Sequence, residues 1–386
     1  MMAQTILLIA TRWNSASFGV DGGSMTAIDI MESLAGCARI DILTSENLKS
    51  IIPSQYFEHI HTFRLQHYDG SIDKFCLRKN IALLVAQRVK DLIDLYDKII
   101  VVHTFNALFF HELLSEQDFS KIILFPMFLS PSYEKSNEKV PEWYKKSERL
   151  ILSDIKNIIT PSEFEKKQLL DVFQVNENYI NVIPRMVSSH FMPVKHSSVN
   201  EHIVLLSCTS SFRRQKRLEL SIEFIKCLKS HGINAKLYMV GSIQDKNEYE
   251  KYLNELNKSG MSEIYHIDYM SQTELNILYS TVDFNISFSS CETFGRAIVE
   301  SLYTGLPNVI LDESGDLSSV IGDGHGAVFC RSIQDMVSAI ELLSMDSTLY
   351  SEMGQQAIKF GSKYNCVLIK TILANAILKY DTYDEN

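Results

Sequence analysis

The chain has 386 residues, of which 46% are hydrophobic and 22% charged, and its formal net charge is −10 at pH 7. This length is too great for one ordinary domain and predicts two domains of roughly 180–200 residues each. The acidic balance argues against nucleic acid as a partner. The seven cysteines are odd in number, widely spaced and without a Cys-x-x-Cys pair, which favours a reducing compartment over a disulfide framework or a zinc site.

The first apolar run, Thr5–Ala10, has neither the preceding basic region nor the following cleavage site of a signal peptide, so it predicts a buried strand. No apolar run approaches the roughly 20 residues that a transmembrane helix needs. Peripheral contact with a membrane stays open.

Through the first half of the chain, apolar runs typical of strands alternate with stretches of helical spacing. The predicted strands are Thr5–Ala10, Arg39–Leu43, Lys98–His103, Lys121–Phe125, Asn157–Thr160 and Asn181–Ile183. The predicted helices are Ser24–Leu34, Asn80–Tyr96, Glu142–Leu152 and Pro161–Phe173. Because strands and helices alternate, we expect a parallel sheet with helices on both faces.

A second alternating series follows a stretch without periodicity, Pro184–Asn200, which is rich in Ser, Pro and His and is predicted to be a linker. Its strands are predicted at His202–Ser207, Ala235–Val240, Glu263–Ile267, Val282–Phe288, Asn308–Leu311 and Ala327–Phe329. Its helices are predicted at Lys216–Ser230, Asn247–Lys258, Gln272–Ser280, Gly295–Thr304, Ile333–Leu343 and Leu349–Lys363. We therefore expect two doubly wound α/β domains, followed by a last helix, Val367–Tyr380, with no strand partner.

The strongest functional pattern is a strand, a loop and a helix in the second half of the chain. Val282–Phe288 predicts the strand and Gly295–Thr304 the helix, with Glu292 in the loop and Glu300 on the second helical turn. Ligands of open α/β sheets bind outside the carboxyl ends of the strands, and a helix N-terminus attracts phosphate. Two glutamates at this spacing also fit a strand–helix unit with both side chains in solvent.

The full pattern is more specific than the spacing. The segment Glu292-x-Phe-Gly-x4-Glu300, which is followed by Gly305-Leu-Pro, resembles the E-x7-E signature of the retaining glycosyltransferases of family GT4. A further family segment, found just before the linker, is similar to Thr160-Pro-Ser-x-x-Glu165. The resemblance implies the GT-B fold, an α/β fold in which two Rossmann-like doubly wound domains face each other across a cleft.

The resemblance also implies what each part of the chain does. Residues 1–187 are expected to form the acceptor-side domain, and residues 188–365 the nucleotide-sugar-binding domain. Residues 366–386 are expected to contain a C-terminal helix that crosses back to the N-terminal domain, followed by an acidic tail.

By this resemblance, a donor site is expected around the two glutamates. Glu292 would hold hydroxyls of the donor sugar, and Glu300 those of the ribose. Gly22 and Gly23 match a glycine pair that lies beneath the donor diphosphate and faces the acceptor, with a plain tight turn as the alternative. The donor-binding residues are predicted to be Gly22, Gly23, Lys216, Glu292, Thr293, Phe294, Gly295 and Glu300, with Arg12 and Asp21 as further polar candidates near the glycine pair.

A basic turn, Arg213 to Arg217, follows the first strand of the second domain. Cations at a helix start oppose the helix dipole, and a bound anion would remove this conflict; a solvated basic helix start is the alternative. GT4 enzymes place an Arg and a Lys here that bind the donor diphosphate and stabilise the leaving group. Lys216 matches the Lys, whereas the family Arg falls on Ser211, so Arg213 or Arg214 is expected to replace it. The predicted catalytic residues are Glu292, Lys216, Arg213 and Arg214.

The acceptor side rests on fewer residues. His103 ends a predicted strand, where it is either a site residue or a satisfied structural histidine. Many GT4 enzymes carry an active-site histidine after the next strand, but Lys121–Phe125 is followed by no His, which is a departure from the family. Tyr133 and its polar neighbours form either an acceptor-side lid or a surface loop. The segment from His266 to Ser271 lies where the family backbone meets the nucleotide base, with core packing as the equal alternative.

As a whole, the resemblance implies a retaining glycosyltransferase that moves a sugar from a UDP- or GDP-sugar to a hydroxyl of a glycan or lipid-linked glycan. Relatives act in bacterial surface glycan synthesis (lipopolysaccharide, O-antigen or capsule), which implies a cytoplasmic enzyme, with association at the inner face of the membrane left open. The sequence has no Asp-x-Asp motif, so no metal and no other cofactor is expected. The alternatives are another GT-B enzyme, such as a sugar-nucleotide epimerase or phosphorylase, and a non-catalytic nucleotide-sugar-binding relative.

Overall fold

The computed structural model describes residues 4–11, 22–46, 55, 57–64, 73–212, 214–243, 246–313, 316–322 and 324–379. These residues divide into two compact units, one running to Arg185 and resuming at Val367, the other spanning Met186–Cys366. The boundaries predicted after residues 187 and 365 lie two residues and one residue from these divisions. Four predicted features lie outside the described residues: Arg12, Asp21, Arg213 and the acidic tail that begins at Asp381.

The first unit contains a parallel sheet. Its described strands are β1 (Gln4–Ile9), β2 (Ala38–Ser45), β3 (His59–Phe63), β4 (Lys98–Val102), β5 (Ile122–Phe125), β6 (Ile158–Thr160) and β7 (Ile180–Val182). They are ordered β3-β2-β1-β4-β5-β6-β7, with every neighbouring pair parallel. Strand β3 was not predicted, because its sequence His-Ile-His-Thr-Phe has no apolar run and it lies at the sheet edge.

Helices flank this sheet. They are α1 (Gly22–Leu34), α2 (Lys74–Leu92), α3 (Phe110–Leu113), α4 (Glu116–Phe119), α5 (Ser130–Lys135), α6 (Glu142–Asp154) and α7 (Glu163–Asp171). The Ser162 side chain caps α7 by accepting a hydrogen bond from the Glu165 amide, as its position before the helix indicates. The last helix of the chain, residues 366–378, belongs to the first unit from Val367 onward. Lys98 Nζ of β4 donates a hydrogen bond to the Ile377 carbonyl of this helix at 2.8 Å.

The second unit repeats the plan. Its described strands are β8 (Ile203–Phe212), β9 (Ala235–Ile243), β10 (Ile264–Ile267), β11 (Phe284–Ser287), β12 (Asn308–Leu311) and β13 (Ala327–Cys330). They form a parallel sheet ordered β10-β9-β8-β11-β12-β13. Its described helices are α8 (Leu220–Ser230), α9 (Lys246–Ser259), α10 (Gln272–Thr281), α11 (Arg296–Tyr303), α12 (Asp316–Ile321), α13 (Ile333–Met345) and α14 (Ser347–Gly361), and the last helix of the chain is α15 (Cys366–Leu378).

The central strands are buried on both faces, which explains their continuous apolar runs. The residues Ile6, Leu7, Leu8 and Ile9 of β1 are all 0% exposed. In β5, no residue from Ile122 to Phe125 is more than 1% exposed. The predicted α/β class with two doubly wound sheets is confirmed.

The predicted linker is packed onto the second unit. Phe191 is buried against Tyr279, with ring centroids 5.8 Å apart. The Val194 amide donates to the Thr304 carbonyl at 2.9 Å. The segment therefore packs against the surface of the second unit, although its backbone forms no helix or strand.

Several predicted elements have other bounds in the structure; for example, the helix predicted at Asn80–Tyr96 is Lys74–Leu92, and the strand predicted at His202–Ser207 extends to Phe212. Two further segments differ in their kind of structure. The helix predicted at Lys216–Ser230 begins only at Leu220, because Arg214–Lys216 forms a separate 3-10 turn and Arg217 has a left-handed φ of 48°. The segment around Tyr133, predicted as a lid or a surface loop, is the helix α5, with Pro131 in its first turn. Within the described ranges, no helix is long and apolar enough to span a membrane.

Candidate active site

The second sheet changes its direction of winding between β8 and β11, which are hydrogen-bonded neighbours. Ligands of doubly wound sheets bind at such a switch point, where the loops after the two strands separate. Lys216 follows β8 and Glu292 follows β11. Lys216 Nζ lies 2.5 Å from Glu292 Oε1, and the two side chains are 11% and 16% exposed. The fold thus brings together two residues that the sequence predicts to be catalytic.

Gln215 attaches the turn that carries Lys216 to the loop that carries Glu292. Its carbonyl accepts a hydrogen bond from the Ser290 amide at 2.9 Å, and its Nε2 donates to the Cys291 carbonyl. Gln215 is buried, so water does not compete for these bonds. Lys216 and Glu292 are therefore held together by the hydrogen bonds of the neighbouring Gln215 as well as by their own ion pair. Sequence reasoning missed Gln215, since a single amide in a basic turn carries no signal.

The other described cations of the turn have different surroundings. Arg214 is exposed. Arg217 Nε donates to the Phe288 carbonyl at 2.6 Å, and its Nη1 lies 2.5 Å from Glu313 Oε2. The predicted conflict between these cations and a helix dipole is wrong, because α8 begins three residues after Arg217. The sequence shows no sign of the partnership with Glu313, which lies 96 residues away.

The helix α11 begins immediately after Gly295, whose φ of 71° is left-handed. A Cβ at this position would also lie 3.3 Å from Ile298 Cδ1, so both the backbone conformation and the space favour glycine. The first turn of a helix presents N–H groups that have no acceptor within the helix. Glu300, on the second turn, is 6% exposed, so the alternative of a solvated glutamate does not hold for it.

Phe294 has a different environment from the one its predicted donor-binding role suggests. Its ring is 6% exposed and packs edge-on against Tyr364, with centroids 5.5 Å apart. The Phe294 side chain is therefore part of the core, which leaves its backbone as the part that can contact a ligand. Thr293 beside it is half-buried.

His266 is held internally by both ring nitrogens. Its Nε2 lies 3.0 Å from the Gly241 carbonyl, which can only accept, so Nε2 carries the proton. Nδ1 then accepts from the Tyr249 hydroxyl, and burial raises the pKa of Tyr249 to about 12, which keeps that hydroxyl protonated. These contacts fix the His266 ring by packing, while contact between the backbone of this segment and a nucleotide base stays a prediction.

The first sheet has its own switch point, between β1 and β4. His103 follows β4 and adopts a left-handed φ of 72°, which is strained for a residue with a Cβ. Its ring lies over Gly23, the second residue of α1. A Cβ added to Gly23 would overlap His103 Nε2 and lie 3.0 Å from Cδ2, whereas one added to Gly22 meets no atom within 4 Å. The two glycines therefore differ: a Cβ at position 23 would require the His103 ring to shift, whereas one at position 22 would not.

Tyr133 lies in the core of the first unit. It is 6% exposed and packs edge-on against Phe128 and Phe75. The Arg78 guanidinium lies 4.7 Å from its ring centroid, a cation–π contact. Its ring thus serves packing, and the predicted acceptor-side lid is corrected to a buried aromatic cluster.

Two fully buried carboxylates lie in the first unit. Glu148 Oε2 accepts a hydrogen bond from the Ser130 amide at 3.0 Å, and burial raises the pKa of Glu148 to about 7. Burial also raises the pKa of Glu165 well above its ordinary value, against the lowering effect of the nearby Arg185 guanidinium. Sequence reasoning assigned no role to either carboxylate, since burial of a helical glutamate depends on tertiary packing.

Among the residues that the structure describes, no group of three or more His, Cys, Asp and Glu side chains is placed to hold a metal ion. That the reaction needs no metal ion stays a prediction from the sequence.

Comparison with known proteins identifies the second unit. Residues 192–360 match the model of the family described as glycosyl transferases group 1. The match contains both Lys216 and Glu292. The second unit is therefore a group 1 glycosyltransferase domain, as the sequence resemblance indicated. No curated protein matches the sequence.

Solved structures show the same fold over nearly the whole chain. Sucrose-phosphate synthase from Thermosynechococcus elongatus is 18% identical, with a TM-score of 0.77 over 95% of this chain and 96% of that one. HepE from Anabaena, in complex with UDP and glucose, is 15% identical, with a TM-score of 0.72 over 97% and 100%. WaaG, a glycosyltransferase of lipopolysaccharide biosynthesis, is 12% identical, with a TM-score of 0.69 over 97% and 99%. The chain thus has the GT-B fold of glycosyltransferases.

Proposed function

We propose that the chain is a retaining glycosyltransferase of the GT4 type that moves a sugar from a nucleoside-diphosphate sugar to a hydroxyl acceptor. The observation that carries this proposal is the Lys216–Glu292 pair at the switch point of the second sheet. The α11 N-terminus follows Glu292 by four residues. A cation suits the diphosphate, a carboxylate suits the sugar hydroxyls, and helix N–H groups suit phosphate oxygens.

In the proposed reaction, the bond between the anomeric carbon and the diphosphate oxygen breaks. Negative charge grows on the leaving diphosphate, where Lys216 and the first N–H groups of α11 stabilise it. Glu292 accepts hydrogen bonds from sugar hydroxyls and so fixes the orientation of the ring. The acceptor oxygen bonds to the anomeric carbon on the face that the diphosphate leaves, and a diphosphate oxygen takes the hydroxyl proton, which gives retention.

Two further predicted residues have environments that support this scheme. Glu300 lies on the second turn of α11 and, with 6% of its surface still exposed, suits a pair of ribose hydroxyls. Arg214, the exposed cation of the turn, is the described candidate for the role of the family Arg. The proposed mechanism needs no metal ion, since these groups supply the positive charge.

Substrate identity is inferred from the similar structures. HepE is known with UDP and with UDP-glucose, which supports a UDP-sugar as the donor. WaaG acts in lipopolysaccharide biosynthesis, which supports a glycan or lipid-linked glycan of the bacterial surface as the acceptor. We place the reaction in the cytoplasm or at the inner face of the membrane. The strained backbone of His103 at a strand end supports an acceptor-side role for that residue.

A thermal-shift panel of UDP, GDP, ADP, dTDP and CMP tests the donor site. A ligand at 100 times its Kd stabilises by about 2.7 kcal/mol, which raises the Tm of a domain of 150–250 residues by roughly 5–11 °C. We expect one diphosphate to give this shift and Glu300→Ala to remove it. No shift with any nucleotide in a folded sample would contradict the proposal.

The nature of the reaction needs a second assay. Incubation of the labelled nucleotide sugar with bacterial lipid extract should yield a labelled glycolipid together with free nucleoside diphosphate. Release of an altered nucleotide sugar without acceptor would indicate an epimerase, and dependence on inorganic phosphate would indicate a phosphorylase.

A further inference from the structure

We propose that Arg217 is a positioning residue that fixes the direction of Lys216 by binding the ends of β11 and β12. This inference rests on the proposed role of Lys216 at the donor diphosphate. It assigns Arg217 no contact with the donor.

The backbone of Arg217 is the first observation. Its φ of 48° lies in the left-handed region, which a residue with a Cβ adopts at an energetic cost and glycine adopts freely. The Arg217 amide donates to the Arg214 carbonyl at 3.1 Å, and its carbonyl accepts from the Leu220 amide at 3.1 Å. This conformation ends the turn that carries Lys216 and separates it from α8. Since Arg217 immediately follows Lys216, a change in its conformation would redirect the Lys216 side chain.

The side chain of Arg217 supplies what glycine would lack. Its Nε donates to the Phe288 carbonyl at 2.6 Å, directly after β11, and its Nη1 lies 2.5 Å from Glu313 Oε2, shortly after β12. The planar guanidinium offers donors in two fixed directions, whereas a lysine ammonium is a single point charge. Arg217 therefore joins three loop segments that follow β8, β11 and β12.

The partner of Arg217 is itself fixed. Arg331 Nη1 donates to the carbonyls of Asp312 at 2.6 Å and Glu313 at 3.1 Å. The Asp312 carboxylate accepts from the amides of Leu317 and Ser318 at 3.2 and 3.0 Å, in the first turns of α12. Glu313 thus belongs to a backbone segment that is tied to β13 and α12, and it provides a fixed point for Arg217.

The same contacts assign different tasks to adjacent residues. Gln215 binds Ser290 and Cys291, Lys216 binds Glu292, and Arg217 binds Phe288 and Glu313. Only Lys216 has a partner that is a predicted substrate-binding side chain. Small misplacements of a catalytic group reduce rates strongly, so the contacts on both sides of Lys216 matter for catalysis.

The test compares Arg217→Gly, Arg217→Lys and Glu313→Gln with the wild-type full chain. The readouts are kcat and KM with UDP-glucose and lipid extract, and the ratio of the Kd for UMP to the Kd for UDP. That ratio reports on the contact with the second phosphate, which the proposal assigns to Lys216. Lys229→Ala, which removes an exposed lysine paired with Glu263 and keeps the helix α8, is the control for loss of an ion pair.

We expect Arg217→Gly to lower kcat about tenfold or more and to lower the UMP/UDP ratio at least threefold, with the Tm unchanged or raised because glycine relieves the strain. Arg217→Lys should not restore kcat, and Glu313→Gln should give a smaller loss in the same direction. The control should keep wild-type values. Wild-type kcat and ratio in Arg217→Gly, or full rescue by Arg217→Lys, would overturn the proposal.

Failure of the proposed function gives a different result. If the wild type binds neither UDP nor GDP, the assignment of the donor site is wrong, and the proposed role of Arg217 is then wrong as well. If the wild type binds a diphosphate and Arg217→Gly binds it with the same preference over the monophosphate, only the Arg217 proposal is wrong.

Discussion

The switch points of the two sheets have the same topology and different contents. In the second unit, the loops at the switch point carry an ion pair, Lys216–Glu292, with part of each side chain exposed. In the first unit, His103 packs over Gly23 at the corresponding place. Two carboxylates of the first unit, Glu148 and Glu165, are 0% exposed.

The difference shows that topology provides the place for a ligand and accessibility decides which charges can use it. Charges that are partly exposed and paired can exchange a protein partner for a phosphate or a hydroxyl. Fully buried carboxylates have no route to a ligand, and their effect is on stability and its dependence on pH. Substitutions in the two units should therefore change different measured quantities.

The largest effect is expected on turnover in the second unit. Lys216→Met and Glu292→Gln should each lower kcat about 100- to 1,000-fold, because each removes a group that stabilises or orients the transition state. Steady-state kinetics with a UDP-sugar and lipid extract measures this. Full activity in both variants would refute the assignment of the site.

A matched control exists for Lys216→Met. Lys229 forms a 2.9 Å ion pair with Glu263 on the surface, with 73% of the lysine side chain exposed. Exposed ion pairs contribute at most about 1 kcal/mol. Lys229→Met should therefore leave both kcat and the Tm close to those of the wild type.

In the first unit, the expected effect is on pH-dependent stability. The pKa of Glu148 is raised from 4.5 to about 7, so the folded state favours its protonated form. The stability from this group is fully present below about pH 4.5 and is lost as the pH rises through about 7. The whole contribution is at most about 3 kcal/mol.

Urea unfolding of the wild type and Glu148→Gln between pH 4.5 and 8 measures this contribution. The free energy of unfolding should fall less steeply with pH in the variant, whose amide does not ionise and can still accept from Ser130. Glu142→Gln, which changes a carboxylate with 87% exposure on the same helix, is the control. Parallel pH profiles for wild type and Glu148→Gln would contradict the prediction.

The smallest effect concerns the packing at the first switch point. Gly23→Ala should destabilise the chain by about 1–3 kcal/mol, because the new methyl group overlaps the His103 ring. Gly22→Ala adds the same group where no atom lies within 4 Å and should be neutral or slightly stabilising. Chemical denaturation of both variants gives the comparison. Equal stability in the two variants would show that His103 moves aside freely.

Much of the fold is predictable because buried parallel strands are continuous apolar runs. Asn308–Leu311, for example, has the same bounds in the prediction and in the structure. Strand β3 escaped prediction because an edge strand buries few of its side chains, and the four-residue helices α3 and α4 are too short to show a period. These elements depend on tertiary contacts.

The candidate site was only partly predictable. Spacing and family resemblance located Lys216, Glu292 and Gly295, because local backbone geometry and residue type define them. Arg217 and its partner Glu313 escaped, since their contact depends on which loops meet in space. The burial of Phe294 and Tyr133 was not predicted either, because it also depends on tertiary contacts.

The most direct test of the proposed site is a crystal structure of the chain with a UDP-sugar that resists transfer. We expect a diphosphate oxygen about 2.7–2.9 Å from Lys216 Nζ and the sugar hydroxyls within hydrogen-bond distance of Glu292. A nucleotide sugar bound away from both side chains would contradict the assignment of this switch point as the donor site.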